Sequence, residues 1–181
     1  MNTDQLHKVI GDFFNHSKDI LSSSVPFDEE VRKMCKQNTC GNYGKSWTCP
    51  PALDSIDKLK LKLSSYSRFI IFDRIYPLED SFDWEGMVNS AKDFQLRIHD
   101  LKKKILSMAP DFNFMTLGAG ACQLCKTCSY QQQKPCKKPD DAIFSVEAFG
   151  VDVMKMMKEN GMNYNNGKNT ITYIGGMFWK I

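Results

Sequence analysis

The chain has 181 residues, of which 42% are hydrophobic and 25% are charged. This composition excludes a disordered or fibrous protein, and a net charge of +3 is too small to favour nucleic acid as a partner. A chain of this length is expected to form one domain with its own buried core.

Seven cysteines stand out in a chain that lacks the marks of secretion. The first ten residues are polar and mixed in charge, so we expect no signal peptide. The longest apolar run, residues 69–72, is far too short to cross a bilayer. We therefore expect a cytoplasmic protein with no membrane partner. In that reducing compartment an odd number of cysteines favours thiolate-metal chemistry over a disulfide framework.

The first half of the chain predicts three helices and a strand. Apolar residues at helical spacing predict a first helix from Asp4 to about Leu21. Asp28 and Asp54 are predicted to cap the second and third helices. Residues 68–76, rich in Phe and Ile, predict a central strand that Pro77 ends.

The longest predicted helix begins at Trp84 and ends before Pro110, because apolar residues recur along it in steps of four and three. Residues 112–117 predict a second strand. Ser145 is predicted to cap a helix whose first turn contains Glu147, where the helix dipole favours a carboxylate.

A last strand is predicted over residues 170–179, in which Gly175-Gly176 indicates a bulge or a close approach of another chain segment. Together these elements predict an α/β fold. We expect a single small metal-binding domain over residues 1–181, with three to four strands, packed helices and two cysteine-rich ligand loops.

The second cysteine loop (residues 118–139) carries the stronger signal. Cys122, Cys125 and Cys128 follow one another in steps of three, and Cys136 and Pro139 come after them. This pattern is close to the ferredoxin run that binds an iron-sulfur cluster, although the gap before the last cysteine is longer here. Structural zinc usually takes two separate pairs of ligands. The loop therefore favours a 4Fe-4S cluster, with zinc as the alternative.

The first cysteine loop (residues 35–51) contributes Cys35, Cys40 and Cys49, with no His, Asp or Glu between Cys40 and Cys49 to complete a four-ligand site. Three interpretations stay open. The three thiolates hold a second cluster with one open iron; or the two loops share ligands; or one loop holds a cluster and the other a zinc ion with a partner that is not cysteine.

Lysines surround the second loop, at positions 126, 134, 137 and 138. Their positive charge would stabilise an anionic cluster and would suit an acidic redox protein partner. Exposed lysines in a polar loop are equally ordinary.

The cysteine motifs also carry a resemblance. They read Cys35-x4-Cys40-Gly41-x-Tyr43-Gly44-Lys45-x-Trp47-x-Cys49-Pro50-Pro51, Gly120-x-Cys122-x2-Cys125-x2-Cys128, Cys136-x2-Pro139 and Glu147-Ala148-x-Gly150-x-Asp152-Val153. With these motifs the sequence resembles, over roughly residues 31–153, the predicted metal-binding proteins of the domain of unknown function 2284 family. The resemblance implies metal binding by all seven cysteines, with no settled activity, substrate or partner. Glu147 and Asp152 match the same pattern, which leaves open that they face the site, although the helix dipole is the plainer explanation of Glu147.

Three functional hypotheses follow. The first is a cytoplasmic iron-sulfur protein that transfers electrons or supports a redox enzyme, with a cluster on Cys122, Cys125, Cys128 and Cys136. The second is an enzyme whose three-cysteine cluster binds substrate at an open iron. The third is a structural zinc module for protein interaction.

Overall fold

A computed structural model describes residues 1–180, so Ile181, the last residue of the predicted domain, lies outside the described residues. The described residues contain five α-helices and five strands. In chain order these are α1 (Thr3–Gly11), β1 (His16–Leu21), α2 (Glu29–Lys36), α3 (Ile56–Leu63), β2 (Arg68–Pro77), α4 (Trp84–Met108), β3 (Phe114–Gly118), β4 (Phe144–Ser145), α5 (Val153–Glu159) and β5 (Thr170–Trp179).

The strands form one mixed sheet in the order β1-β2-β5-β3-β4. β5 lies between β2 and β3 and is antiparallel to both, whereas β3 and β4 are parallel. The predicted small α/β domain is confirmed. Its sheet has five strands over residues 1–180, one more than the upper end of the predicted range.

The core has two layers of side chains, one on each face of the sheet. Phe69 and Ile71 of β2 face the layer formed with α3 and α5, and Ile70 and Phe72 face the layer formed with α1 and α4. All four are fully buried, as a central strand between two helical layers requires. None of the helices in residues 1–180 combines the length and apolar character needed to cross a membrane.

The predicted first helix is wrong in its second half. α1 ends at Gly11, and residues 16–21 form the edge strand β1 instead. Ile20 matches the helical spacing, but in the sheet it lies opposite Phe69 and enters the core. Pairing with a neighbouring strand outweighs local periodicity here.

One of the two caps predicted for α2 and α3 differs from the structure. Asp28 caps α2 as predicted, accepting a hydrogen bond from the Glu30 N–H at 2.8 Å. Ser55, not Asp54, caps α3, and the Asp54 carboxylate forms an ion pair with Lys62.

The predicted helix after Ser145 is also wrong at its start. Ser145 accepts a hydrogen bond from the Ala148 N–H at 3.0 Å, as a cap does, but only a three-residue 3-10 turn, Glu147–Phe149, follows. Gly150 then adopts the left-handed conformation (φ 84°), and α5 begins at Val153 after its own cap, Asp152.

Gly175 and Gly176 mark a close approach of two side chains of β2 rather than a bulge, because both glycines pair regularly with β2. A Cβ atom at Gly176 would lie 2.0 Å from the Phe69 ring, and one at Gly175 would lie 2.5 Å from Phe72. The two aromatic rings therefore fill the space where β5 has no side chains.

We predict that Gly176→Ala destabilises the protein by roughly 1–3 kcal/mol, because the added methyl group overpacks the core against Phe69. Urea unfolding of the metal-free protein measures the change. Gly11→Ala is the control, since nothing lies within 4 Å of its new Cβ and alanine suits a helix better than glycine. Equal stability of the Gly176 variant and the original protein would contradict the assignment of Phe69 to this space.

Candidate metal centre

The first cysteine loop curls tightly after α2. Cys35 lies in the last turn of α2, and Gly41 and Gly44 adopt left-handed conformations that bring Cys40 and Cys49 back towards it. The Asn38 side-chain oxygen accepts a hydrogen bond from the Tyr43 N–H at 2.9 Å. The Gly44 N–H donates to the Pro50 carbonyl at 2.8 Å and closes the loop.

The three cysteines of this loop line one cavity of about 270 Å³. Other walls of the cavity come from Tyr43 of the same loop, from Gly120 and Ala121 of the second cysteine loop, and from the segment that contains Ser145 and Glu147. The structure therefore brings Cys35, Cys40 and Cys49 together, and it brings the start of the second loop to the same place.

The second cysteine loop leaves the end of β3 and is held by a buried side chain of α4. The Gln95 side-chain amide donates to the carbonyls of Ala119 and Ala121 at 3.1 and 2.7 Å, and its oxygen accepts from the Gln123 N–H at 3.3 Å. These bonds fix the backbone on both sides of Cys122. Satisfied buried polar groups of this kind hold a single conformation, because breaking one leaves an unpaired group out of water.

The two cysteine loops lie against each other. The Cys122 N–H donates to the Thr48 hydroxyl at 3.3 Å, and the Trp47 indole N–H donates to the Lys134 carbonyl at 3.0 Å. Trp47 also packs edge-on against Tyr130, with 4.9 Å between ring centroids. Together these contacts connect the first loop to the beginning, middle and end of the second.

Three thiols resist ionisation in the protein without metal. Burial raises the pKa of Cys49 to about 11; the Thr48 hydroxyl opposes this, while the thiols of Cys40, Cys35 and Cys122 add to it. Burial also raises the pKa of Cys35, to which Cys40 and Glu147 contribute. Burial raises the pKa of Cys122 as well, although backbone N–H groups stabilise its thiolate. A bound cation would favour the thiolate form of all three.

Cys128 behaves differently. Burial disfavours its thiolate, but hydrogen bonds from the N–H groups of Tyr130 and Trp47 and from the Ser46 hydroxyl outweigh burial, and its pKa is lowered. Two of these three donors belong to the first cysteine loop. Hydrogen bonds to sulfur of this kind also tune the potentials of iron-sulfur clusters.

The donor set suits a soft metal. All seven cysteines are free thiols on the two adjacent loops, and neither His7, which contacts Ser17, nor His16, which pairs with Asp73, belongs to the site. Within residues 1–180, no three His, Cys, Asp or Glu side chains already converge to the spacing of a single-ion site. An iron-sulfur cluster distributes its thiolates over several iron atoms.

Several residues of the site were missed by the sequence analysis. Ser46 and Thr48 are buried and bonded to each other at 3.0 Å, although they stand in a glycine- and proline-rich loop. Gln95 had a usable signal, because it lies on the apolar face of α4, three residues before Ile98. A lone amide on such a face indicates a buried polar contact.

The sequence-based explanation of Glu147 is wrong. It does not stand in the first turn of α5 but opens a 3-10 turn, and its side chain lines the cavity of the three cysteines. Removal from water raises its pKa, although its own N–H and the Ser145 hydroxyl favour the carboxylate.

Comparison with known families assigns the chain to one of them. The family model described as predicted metal-binding protein (DUF2284) matches residues 18–178, so the chain belongs to this family. Its members are predicted to bind metal, and the two cysteine loops both fall within the matched residues.

Comparison with curated proteins finds no match. Among solved structures, one described as epoxyqueuosine reductase from Streptococcus thermophilus superposes on 100% of this chain with a TM-score of 0.48 and 10% sequence identity. The matched region is 46% of that enzyme, so this chain spans less than half of its length.

We predict that Trp47→Ala loosens the second cysteine loop without unfolding the sheet, because it removes the bond to Lys134 and the contact with Tyr130. Losing about 1 kcal/mol of local stability would speed amide hydrogen exchange roughly fivefold in residues 128–136. Mass spectrometry of the metal-free protein measures the exchange rate. Trp84→Ala, at an exposed tryptophan of α4, is the control. Unchanged exchange in the loop would contradict the role given to Trp47.

Proposed function

We propose that this protein is a cytoplasmic iron-sulfur protein that transfers electrons or supports a redox enzyme. Cys122, Cys125, Cys128 and Cys136 hold a 4Fe-4S cluster in this proposal. Cys35, Cys40 and Cys49 hold a second metal centre beside it.

The proposal is carried by one observation: seven thiols stand on two loops that are hydrogen-bonded to each other. The C-x2-C-x2-C spacing of the second loop suits the several corners of a cluster. Backbone N–H groups directed at the sulfurs of Cys122 and Cys128 favour their thiolate forms, which are the forms that bind iron. Zinc remains the competing metal for the same thiols.

The surface around Cys136 supports electron exchange with a protein. Lys134, Lys137 and Lys138 are exposed there, and none of them forms an ion pair within residues 1–180. Asp140 and Asp141 offset part of this charge. An apolar hollow of about 440 Å³, lined by Trp47, Cys136 and Phe144 among others, lies next to the lysines. We propose that an acidic redox protein docks here, with charge guiding its approach.

The cavity of about 270 Å³ favours a second candidate function. Three thiolates leave one coordination position of a cluster without a cysteine, and a small substrate could reach that iron through the cavity. The iron would then act as a Lewis acid in an enzyme.

Anaerobic purification tests the metal directly. We expect brown protein that contains iron and acid-labile sulfide in about equal amounts, as a 4Fe-4S cluster requires. Metal analysis and absorption spectra measure this. Colourless protein with stoichiometric zinc would contradict both the electron-transfer and the open-iron proposals.

Single cysteine replacements test the number of centres. We expect Cys40→Ser and Cys125→Ser each to lose roughly half of the iron, because each removes one ligand from a different centre. Thr127→Ser, a hydroxyl replacement within the second loop, is the control and should keep all of it. Complete loss of iron in both cysteine variants would indicate one shared centre instead.

The docking proposal predicts a charge-dependent rate. Replacing Lys134, Lys137 and Lys138 with Glu should slow electron exchange with flavodoxin, used as an acidic carrier, by roughly tenfold at low salt. The difference should shrink at high salt because ions screen it. Stopped-flow absorbance measures the rate, and the same replacement at Lys8, Lys58 and Lys168, exposed lysines outside both cysteine loops, is the control. An equal effect at both sites would contradict docking around Cys136.

A further inference from the structure

Glu147 is the acidic side chain in the wall of the cavity that the three cysteines of the first loop line. Cys35 stands in the last turn of α2, and α2 packs on the 3-10 turn that contains Glu147. The cavity therefore presents three sulfur donors and one carboxylate to the same space.

No cation neutralises Glu147 within residues 1–180, since none of the ion pairs there includes it. The neighbouring Arg32 guanidinium donates instead to the carbonyls of Ala148 and Asp54, at 3.0 and 3.1 Å. Glu147 is only partly exposed at the cavity wall, and a carboxylate in such a place is stabilised by a nearby cation. Within residues 1–180 the groups that favour its carboxylate form are its own N–H and the Ser145 hydroxyl.

The backbone around Glu147 is fixed rather than adaptable. The Val146 N–H donates to the Gly118 carbonyl at 2.9 Å, which attaches this turn to the end of β3 where the second cysteine loop begins. Gly150 ends the turn in a left-handed conformation, and a Cβ there would lie 2.3 Å from Ile56. Two constraints thus hold the carboxylate at the cavity.

We propose that the Glu147 carboxylate is the fourth protein ligand of the metal centre held by Cys35, Cys40 and Cys49. Carboxylate oxygen is an established ligand of iron and zinc alongside sulfur and nitrogen. This inference rests on the proposed metal centre of the first cysteine loop and names its missing ligand. A carboxylate is a harder ligand than a thiolate. An added ligand would therefore displace Glu147 before it displaced any of the three cysteines.

Two replacements distinguish a ligand from a structural side chain. Glu147→Gln keeps the shape and the hydrogen bond from Ser145 but weakens metal binding, whereas Glu147→Cys changes the shape and restores a strong ligand. We expect the Gln variant to lose iron to a chelator roughly tenfold faster than the original protein. The Cys variant should lose it no faster than the original. Glu159→Gln, an exposed glutamate at the end of α5, is the control.

The opposite order would overturn the inference: a Gln variant that keeps iron normally and a Cys variant that loses it indicate a structural role. Equal release from all variants overturns it as well. A separate measurement needs no variant. In original protein labelled with 13C at glutamate carboxyl carbons, the reduced centre should show 13C hyperfine coupling, and its absence excludes a glutamate ligand.

These outcomes are separable from failure of the proposed function. If the original protein binds no iron, the proposed function fails. If it binds metal at both loops, and Cys40→Ser lowers the content while Glu147→Gln changes neither release nor spectrum, only the assignment of Glu147 fails. Circular dichroism of each variant confirms that it has folded.

Discussion

Hydrogen bonds between a few polar side chains and loop backbone hold the two cysteine loops in one place. Gln95 fixes the backbone around Cys122, Thr48 accepts the Cys122 N–H, and Trp47 reaches the Lys134 carbonyl. Gln95 and Thr48 are buried, so an unmade bond would leave a polar group without water. Apolar packing between the loops centres on Trp47 and Tyr130. The arrangement of sulfur therefore depends on this small set of bonds and on the sheet that positions them.

The ends of two neighbouring strands, β3 and the edge strand β4, position the candidate site. β3 ends at Gly118, where the second cysteine loop starts, and β4 ends at Ser145, two residues before Glu147. Because β3 and β4 are parallel, these two ends lie side by side. α2 delivers Cys35 from the other direction, since it packs on the turn that contains Glu147. The carboxylate thus reaches the cavity from the turn after β4, and the three thiols reach it from α2 and the loop that follows α2.

The sequence predicts best what is periodic or strongly apolar. α4 and β5 have the predicted bounds because each carries an uninterrupted pattern, and Asp28 caps α2 because a cap depends on local geometry alone. The sequence predicts helix at β1 because Ile20 fits both spacings, and only the pairing of β1 with β2 decides between them. Ser145 predicts a long helix because the hydrogen bond of a cap is the same for one turn as for many. The hydrogen bonds from Cys122 to Thr48 and from Gln95 to Ala119 join residues far apart in the chain, so no local pattern identifies the partners. The position of Gln95 on an apolar helix face indicates only that it has a buried partner. Which cysteines bind metal stays a prediction, supported by spacing and by family membership.

The position of β5 also has a consequence for biosynthesis. β5 lies between β2 and β3, yet it follows both along the chain. Neither strand can gain its central neighbour until the ribosome has released residues 170–179, and by then every cysteine has already been made. Until then the sheet that supports the two cysteine loops lacks one of its inner strands. The complete arrangement of thiols can therefore form only after residues 170–179 have left the ribosome, later than the last cysteine.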